Sequence, residues 1–275
     1  MQKTFVLGVG AQKSGTTWLH KFFSTNKNFH PNPQKEYALW NSLEKRAPLI
    51  IDVPTNSYQV FVKYFQEHPE QYFDFFEKGQ FKDFDYAYDI SPSYSGVSTE
   101  TFLYIKNEFE KRNINTKVIF IMRDPINRMI SSYKHALRRK DDIRFRTGYQ
   151  DNITNKSFQD YAIESDFIHY ISRYDITYEN LTKAFNTSNC LFLIYEDLFQ
   201  NKNTEKISNF LNLDFDKNFV DVKINYDPGG VTINITEEMI KNVAIEYLDV
   251  YRFASKMFPE TLNLWSSFKY VENLI

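Results

Sequence analysis

Residues Lys13-Ser14-Gly15-Thr16-Thr17, within GVGAQKSGTTWLHKFF (8–23), bring a cation, a glycine and three hydroxyls to the place where a strand-like run gives way to a helical one. A loop that leaves a strand and opens a helix points free backbone N–H groups outward. The helix dipole adds partial positive charge there, so the position suits an anion. Lys13 adds a full charge, and Thr16 and Thr17 add hydroxyl donors. The ATP-binding loop is spelled G-x-x-x-x-G-K-[ST], with lysine directly after the last glycine and the hydroxyl on magnesium. Here lysine precedes Gly15, so the order predicts a phosphate site unlike that of a nucleoside triphosphatase. Taken alone, the stretch is equally compatible with an ordinary glycine-bearing βα turn.

A second segment, RDPINRMISSYKH (123–135), follows the apolar run KVIFIM (117–122). Ligands of open α/β sheets collect at the carboxyl ends of strands. Arg123 stands at such an end, Ser131 lies two turns into the following helix, and Arg128 and Tyr133 are close by in sequence. An arginine with a hydroxyl suits a second phosphate through charge-assisted hydrogen bonds. In isolation Arg123 could instead cap a helix or pair with Asp124. Together the two segments point to two anion sites on adjacent strand ends.

These residues need a scaffold, and the periodicity supplies one. TFVLGVGA (4–11) reads as a strand, and TTWLHKFFST (16–25) as a helix with Trp18, Leu19, Phe22 and Phe23 on one face. YAYDIS (86–91) precedes the helical STETFLYIKNEFEKR (98–112). KVIFIM leads into RDPINRMISSYKHALRR, where Pro125 suits a first helical turn and Asp124 its cap. CLFLIYEDL (190–198) precedes NTEKISNFLNL, and residues 236–257 read as one amphipathic helix with Met239, Val243, Tyr247 and Tyr251 in line. Strands alternating with helices predict an α/β fold: a P-loop-like domain with a mostly parallel central sheet and helices on both faces. No repeat or Pro/Gly/Ser-rich linker divides the chain, so residues 1–275 are expected to form a single domain. The polar stretch 138–157 is expected to be a loop.

Composition narrows the function. With 42% hydrophobic and 17% aromatic residues in 275, the chain can bury a large core, which excludes a disordered protein. A formal charge of −2 argues against nucleic-acid binding by bulk charge. The one cysteine, Cys190, sits in an apolar run and reads as a buried thiol rather than a nucleophile. No secretory leader is recognisable and no apolar run approaches 18 residues, so the expectation is a soluble, cytoplasmic chain without a membrane span, in which N-x-[ST] matches such as Asn152-Ile-Thr154 arise by chance. No His/Cys/Asp cluster has metal-ligand spacing, and no metal is expected.

At this point the chain resembles a family. GAQKSGTTWL is similar to the 5′-phosphosulfate loop of sulfotransferases that use 3′-phosphoadenosine 5′-phosphosulfate (PAPS), and RDPINRMISSY to their 3′-phosphate motif R-[DN]-P-x-x-R-x-x-S-x-Y. QKEYALW resembles the K-E-x-x-F-F segment of glycan O-sulfotransferases, DISPSY their E-K-[ST]-P-x-Y strand, and LFLIYEDL with ISNFLNL a later strand and helix. The resemblance spans about residues 4–260. It implies a sulfotransferase in which Lys13, Ser14, Gly15, Thr16 and Thr17 grip the 5′-phosphosulfate, Trp18 lies against the adenine or packs in the core, and Arg123 and Ser131 bind the 3′-phosphate. It also implies that Lys13 and Glu36 are catalytic, Glu36 as base, with His30 and Asp89 as substitutes, and that the acceptor is a hydroxyl. A carbohydrate is favoured; a lipid or small-molecule alcohol is the alternative. Departures concern the acceptor side: Ile90 replaces the family's lysine, Ala38 its histidine and Asn41 its aspartate. The late nucleotide-closing loop would fall near 222–230, and Arg138, Arg139, Lys140, Arg144 and Arg146 could border an acidic glycan. The competing readings are an ATP-dependent small-molecule kinase and a nucleotide-binding module without catalysis.

Overall fold

The computed structural model describes residues 2–32, 34–44, 54, 57–138, 156–215, 219 and 231–275. Its sheet has four strands, β1 (Lys3–Gly10), β2 (Tyr86–Ile90), β3 (Ile114–Met122) and β4 (Cys190–Ile194), in the spatial order β2-β1-β3-β4. Every neighbouring pair is parallel, with Val6 opposite Tyr88 on one side and Lys117 on the other. These are the four strands expected from the apolar runs, with β3 starting three residues earlier than KVIFIM.

Parallel strands joined by helices are buried on both faces, which is why they read as near-continuous apolar runs. Between β1 and β2 lie α1 (Thr16–Ser24), α2 (Leu39–Leu43), α3 (Ser57–Glu67) and α4 (Glu70–Asp74). Helix α5 (Thr99–Lys111) joins β2 to β3, and α6 (Pro125–Arg138), α7 (Phe158–Ile163), α8 (Asp166–Ser172) and α9 (Tyr174–Ala184) lie between β3 and β4. After β4 come α10 (Asn201–Leu211), α11 (Glu237–Glu246), α12 (Leu248–Met257) and α13 (Thr261–Leu264). Phe5, Leu7 and Val9 of β1 join the larger core with α5, α9, α11 and α12, whereas Val6 faces the smaller core of Trp18, Leu19, Phe22 and Phe23 with Ile207 and Leu211. The α/β arrangement with helices on both faces is therefore as predicted. Among the described residues no helix is long and apolar enough to cross a membrane.

Two features differ from the sequence reading. The tail is not one helix: it breaks at Tyr247, whose ψ of 23° leaves the helical range. Helix α11 packs on α7 and α12 on α9, and the buried Tyr247 hydroxyl donates to Ala162 O (2.7 Å) where the direction changes. A straight helix would not serve both surfaces. Residues 57–82 also carry short helices that were not anticipated. Their rings (Phe65, Tyr72, Phe75, Phe76) pack around the buried Tyr37, with Tyr37 and Phe76 centroids 5.3 Å apart. Of the stretch 138–157, residues 139–155 lie outside the described residues, as do Arg139, Lys140, Arg144, Arg146 and the segment 222–230; Arg138 is the exposed last residue of α6.

Candidate active site

The loop after β1 is held to the neighbouring strand from its first residue: Ala11 N donates to Ile121 O of β3 (2.7 Å), and Ser14 N closes a turn on Ala11 O (3.2 Å). Lys13 and Gly15 take left-handed φ angles of 66° and 84°. Gly15 is the N-cap of α1, and among the described residues no side chain caps that end. The first bond of the helix is Leu19 N to Gly15 O, so the N–H groups of Thr16, Thr17 and Trp18 have no partner within the helix. The buried Ser14 hydroxyl likewise finds no partner among the described residues. A β-carbon on Gly15 would meet Leu198 Cδ2 at 2.7 Å and the Tyr195 ring at 3.2 Å. Gly15→Ala thus adds a clash to an unfavourable φ. It is expected to destabilise the fold by about 1–3 kcal/mol, seen as a fall of several degrees in Tm.

Arg123 leaves the end of β3 and reaches this loop. Its Nη1 donates to Lys13 O (2.8 Å), its guanidinium lies 4.4 Å from the centre of the Tyr195 ring, and its Nε has no partner among the described residues. It does not pair with Asp124. That carboxylate caps α6, accepting from Ile126 N (3.0 Å) and Asn127 N (3.3 Å), and also holds Ser267 through its Oγ (2.6 Å) and N (3.0 Å). Ser131 is half-buried on α6. The next residue, Ser132, donates to Gln12 Oε1 (3.0 Å) and bonds the Tyr161 hydroxyl (2.8 Å), linking α6 to the loop; the sequence reading missed this link. Arg128 is fully buried and donates to Ser172 Oγ, so it serves the core rather than the loop.

Glu36 comes to the same loop through its neighbour. Lys35 Nζ donates to Thr16 Oγ1 (3.2 Å) and to Glu36 Oε1 (2.5 Å), and the Glu36 side chain keeps 41% of its surface exposed. The two substitutes for it do not share that exposed place beside the loop. His30 bonds to the opposite end of β2, through its N to Tyr86 O (3.0 Å), and Asp89 is wholly enclosed. His20, one turn beyond Thr16, sits with Nδ1 3.0 Å from the Tyr88 hydroxyl; burial, helped by Lys35 and Lys21, lowers its pKa to about 4. Trp18 is 1% exposed, stacked on Phe22 (4.9 Å) with Phe199 and Phe219 at its other sides. Cys190 is buried, which pushes its thiol up to about 12, as fits a structural residue.

Residues 3–227 match the model of the sulfotransferase domain. This chain belongs to the sulfotransferase family. Its fold is similar to that of a sulfotransferase from Alicyclobacillus acidocaldarius, at 14% identity over 94% of this chain and 96% of that one, with a TM-score of 0.60. A mouse sulfotransferase complexed with PAP matches at 14% identity over 96% of this chain and 88% of that one, with a TM-score of 0.48. No match is found among curated proteins. As a sulfotransferase the chain is an enzyme that moves a sulfuryl group. Helices α11 to α13 lie beyond the matched residues.

Proposed function

We propose that this sulfotransferase takes its sulfuryl group from PAPS and delivers it to a hydroxyl, with a carbohydrate as the favoured acceptor class. One observation carries the reading: two anion-binding elements, the uncapped start of α1 and the tip of β3, stand on adjacent strands and are joined by the Arg123–Lys13 hydrogen bond. The Ser14 hydroxyl and Arg123 Nε, both buried and without a partner among the described residues, fit a ligand with two phosphate groups, because buried polar groups otherwise cost free energy.

PAPS brings an activated sulfuryl group, so the protein's task is positioning and charge stabilisation. Lys13 and the first N–H groups of α1 hold the 5′-phosphosulfate and stabilise negative charge as the bond from sulfur to the phosphate oxygen breaks. Ser14, Thr16 and Thr17 add donors, and Gly15 supplies the turn. Arg123 and Ser131 hold the 3′-phosphate. Glu36 accepts the proton of the acceptor hydroxyl as its oxygen bonds to sulfur. The Lys35-Glu36 pair, which resembles the glycan enzymes, supports the carbohydrate preference; lipid and small-molecule alcohols are the comparison acceptors.

The test is a thermal-shift panel of 3′-phosphoadenosine 5′-phosphate (PAP) against AMP, ADP and ATP, followed by labelled-PAPS transfer to an acceptor library. PAP is expected to stabilise the enzyme well beyond 5′-AMP, since each charge-assisted contact contributes about 1.5–3 kcal/mol. Arg123→Ala is expected to erase that difference. Equal shifts for PAP and AMP in the wild type would refute the 3′-phosphate assignment.

A further inference from the structure

Asp89 is the next-to-last residue of β2 and is 0% exposed, and no step described above uses it. Its Oδ1 accepts from Ser91 Oγ (2.6 Å), and its Oδ2 accepts from the hydroxyls of Tyr72 (2.9 Å) and Tyr94 (2.9 Å). With their protons committed to the carboxylate, the Ser91 and Tyr94 oxygens are left as acceptors. Ser91 Oγ accepts from Tyr37 N (3.0 Å) and Ala38 N (3.1 Å), and the Tyr94 hydroxyl accepts from Leu39 N (3.1 Å). Those are the three consecutive backbone N–H groups that follow Glu36. On its other side, Lys35 O accepts from Ile90 N (2.9 Å). Glu36 is thus bracketed by bonds to residues 89–94.

We propose that Asp89, Ser91 and Tyr94 are positioning residues for Glu36: one buried carboxylate, acting through two hydroxyls, fixes the backbone that carries the base. The proposal rests on Glu36 being that base. A carboxylate suits the role because it accepts on both oxygens. An amide would offer two donors and turn at least one hydroxyl around, removing an acceptor from the segment. Burial raises the Asp89 carboxyl to about 6 even against the bonds from Ser91, Tyr94, Tyr72 and Tyr37 N, which lower it; the three hydroxyls that donate to its two oxygens give it the accepting role. Ala38 sits at φ 49°, a left-handed conformation that a non-glycine residue holds only where its surroundings impose it. Its N–H is one of the two on Ser91. A base displaced by a fraction of an ångström transfers protons poorly, so the network acts on turnover rather than on the nucleotide.

The experiment is a double-mutant cycle, read as sulfuryl transfer from labelled PAPS to the library acceptor of highest rate, with PAP affinity measured alongside. Ser91→Ala and Tyr94→Phe are each expected to lower kcat by about 10- to 100-fold while PAP affinity stays within about twofold. In a Glu36→Gln background the same substitutions are expected to change the residual rate by less than about twofold, because the group they position is no longer a base. Hydrogen exchange at the amides of Tyr37, Ala38 and Leu39 is expected to quicken in both variants. Two substitutions guard against one failing to fold. A full rate loss persisting in the Glu36→Gln background overturns the proposal alone, as does an unchanged kcat in the single variants. A Glu36→Gln enzyme at the wild-type rate overturns the base assignment and the proposal with it.

Discussion

Lys13→Ala is expected to lower turnover by at least about 10²–10³-fold, the range seen when a single group stabilising developing negative charge is removed. Lys13 stands in the loop at the uncapped end of α1, where the helix N–H groups already favour an anion. Its charge matters most as the leaving phosphate gains charge during sulfuryl transfer. The loss should therefore fall on kcat more than on KM for PAPS, since uniform binding would leave kcat unchanged. Lys13 already holds φ 66°, and alanine meets the same steric cost there, so the loop keeps its shape and its carbonyl stays available to Arg123. PAP should still bind Lys13→Ala better than AMP does, because Arg123 and Ser131 are untouched. Turnover within tenfold of the wild type would remove Lys13 from the proposed mechanism.

How much of this was legible in the sequence follows the range of the interactions. The loop and the four strands were readable because their signals are local: double-sided burial writes an apolar run, and a strand-to-helix turn writes glycine and hydroxyls. Asp124 as cap and Pro125 in the first turn of α6 were readable for the same reason. The adjacency of β1 and β3 was inferred from the shared chemistry of their ends, and the sheet order bears it out. What the sequence did not yield depends on distant pairs. Ser132 meets Gln12 across 120 residues, and nothing in SSYKH distinguishes it from Ser131 until the helix is oriented. The break at Tyr247 arises because two other helices need covering, which the periodicity of 236–257 does not contain. DISPSY carries a family resemblance, but that Asp89 and Ser91 hold the residues after Glu36 depends on the fold that brings segments 52 to 54 residues apart into contact.

Glu36→Gln is expected to lower turnover by roughly 10²–10⁴-fold while leaving PAP affinity close to that of the wild type. A hydroxyl is a poor nucleophile at neutral pH, so its proton must leave during attack, and a carboxylate within hydrogen-bond reach is the group that can take it. In the proposed mechanism Glu36 meets that positional requirement. It is tied through Lys35 to Thr16 of the anion-binding loop, and enough of its surface is exposed for an acceptor to approach. Among the described residues the two substitutes do not satisfy it, Asp89 because it is enclosed and His30 because it lies at the far end of β2. The plain alternative is an ion pair with Lys35 that does no chemistry, and exposed pairs of that kind contribute only about 0–1 kcal/mol to stability. The two readings separate cleanly. Glutamine keeps the shape and can still accept a hydrogen bond from Lys35, so a purely structural pair predicts a small change in Tm and near-normal turnover. A base predicts a nearly unchanged Tm and a collapse of kcat. A Glu36→Gln enzyme that transfers sulfate at close to the wild-type rate would take Glu36 out of the mechanism.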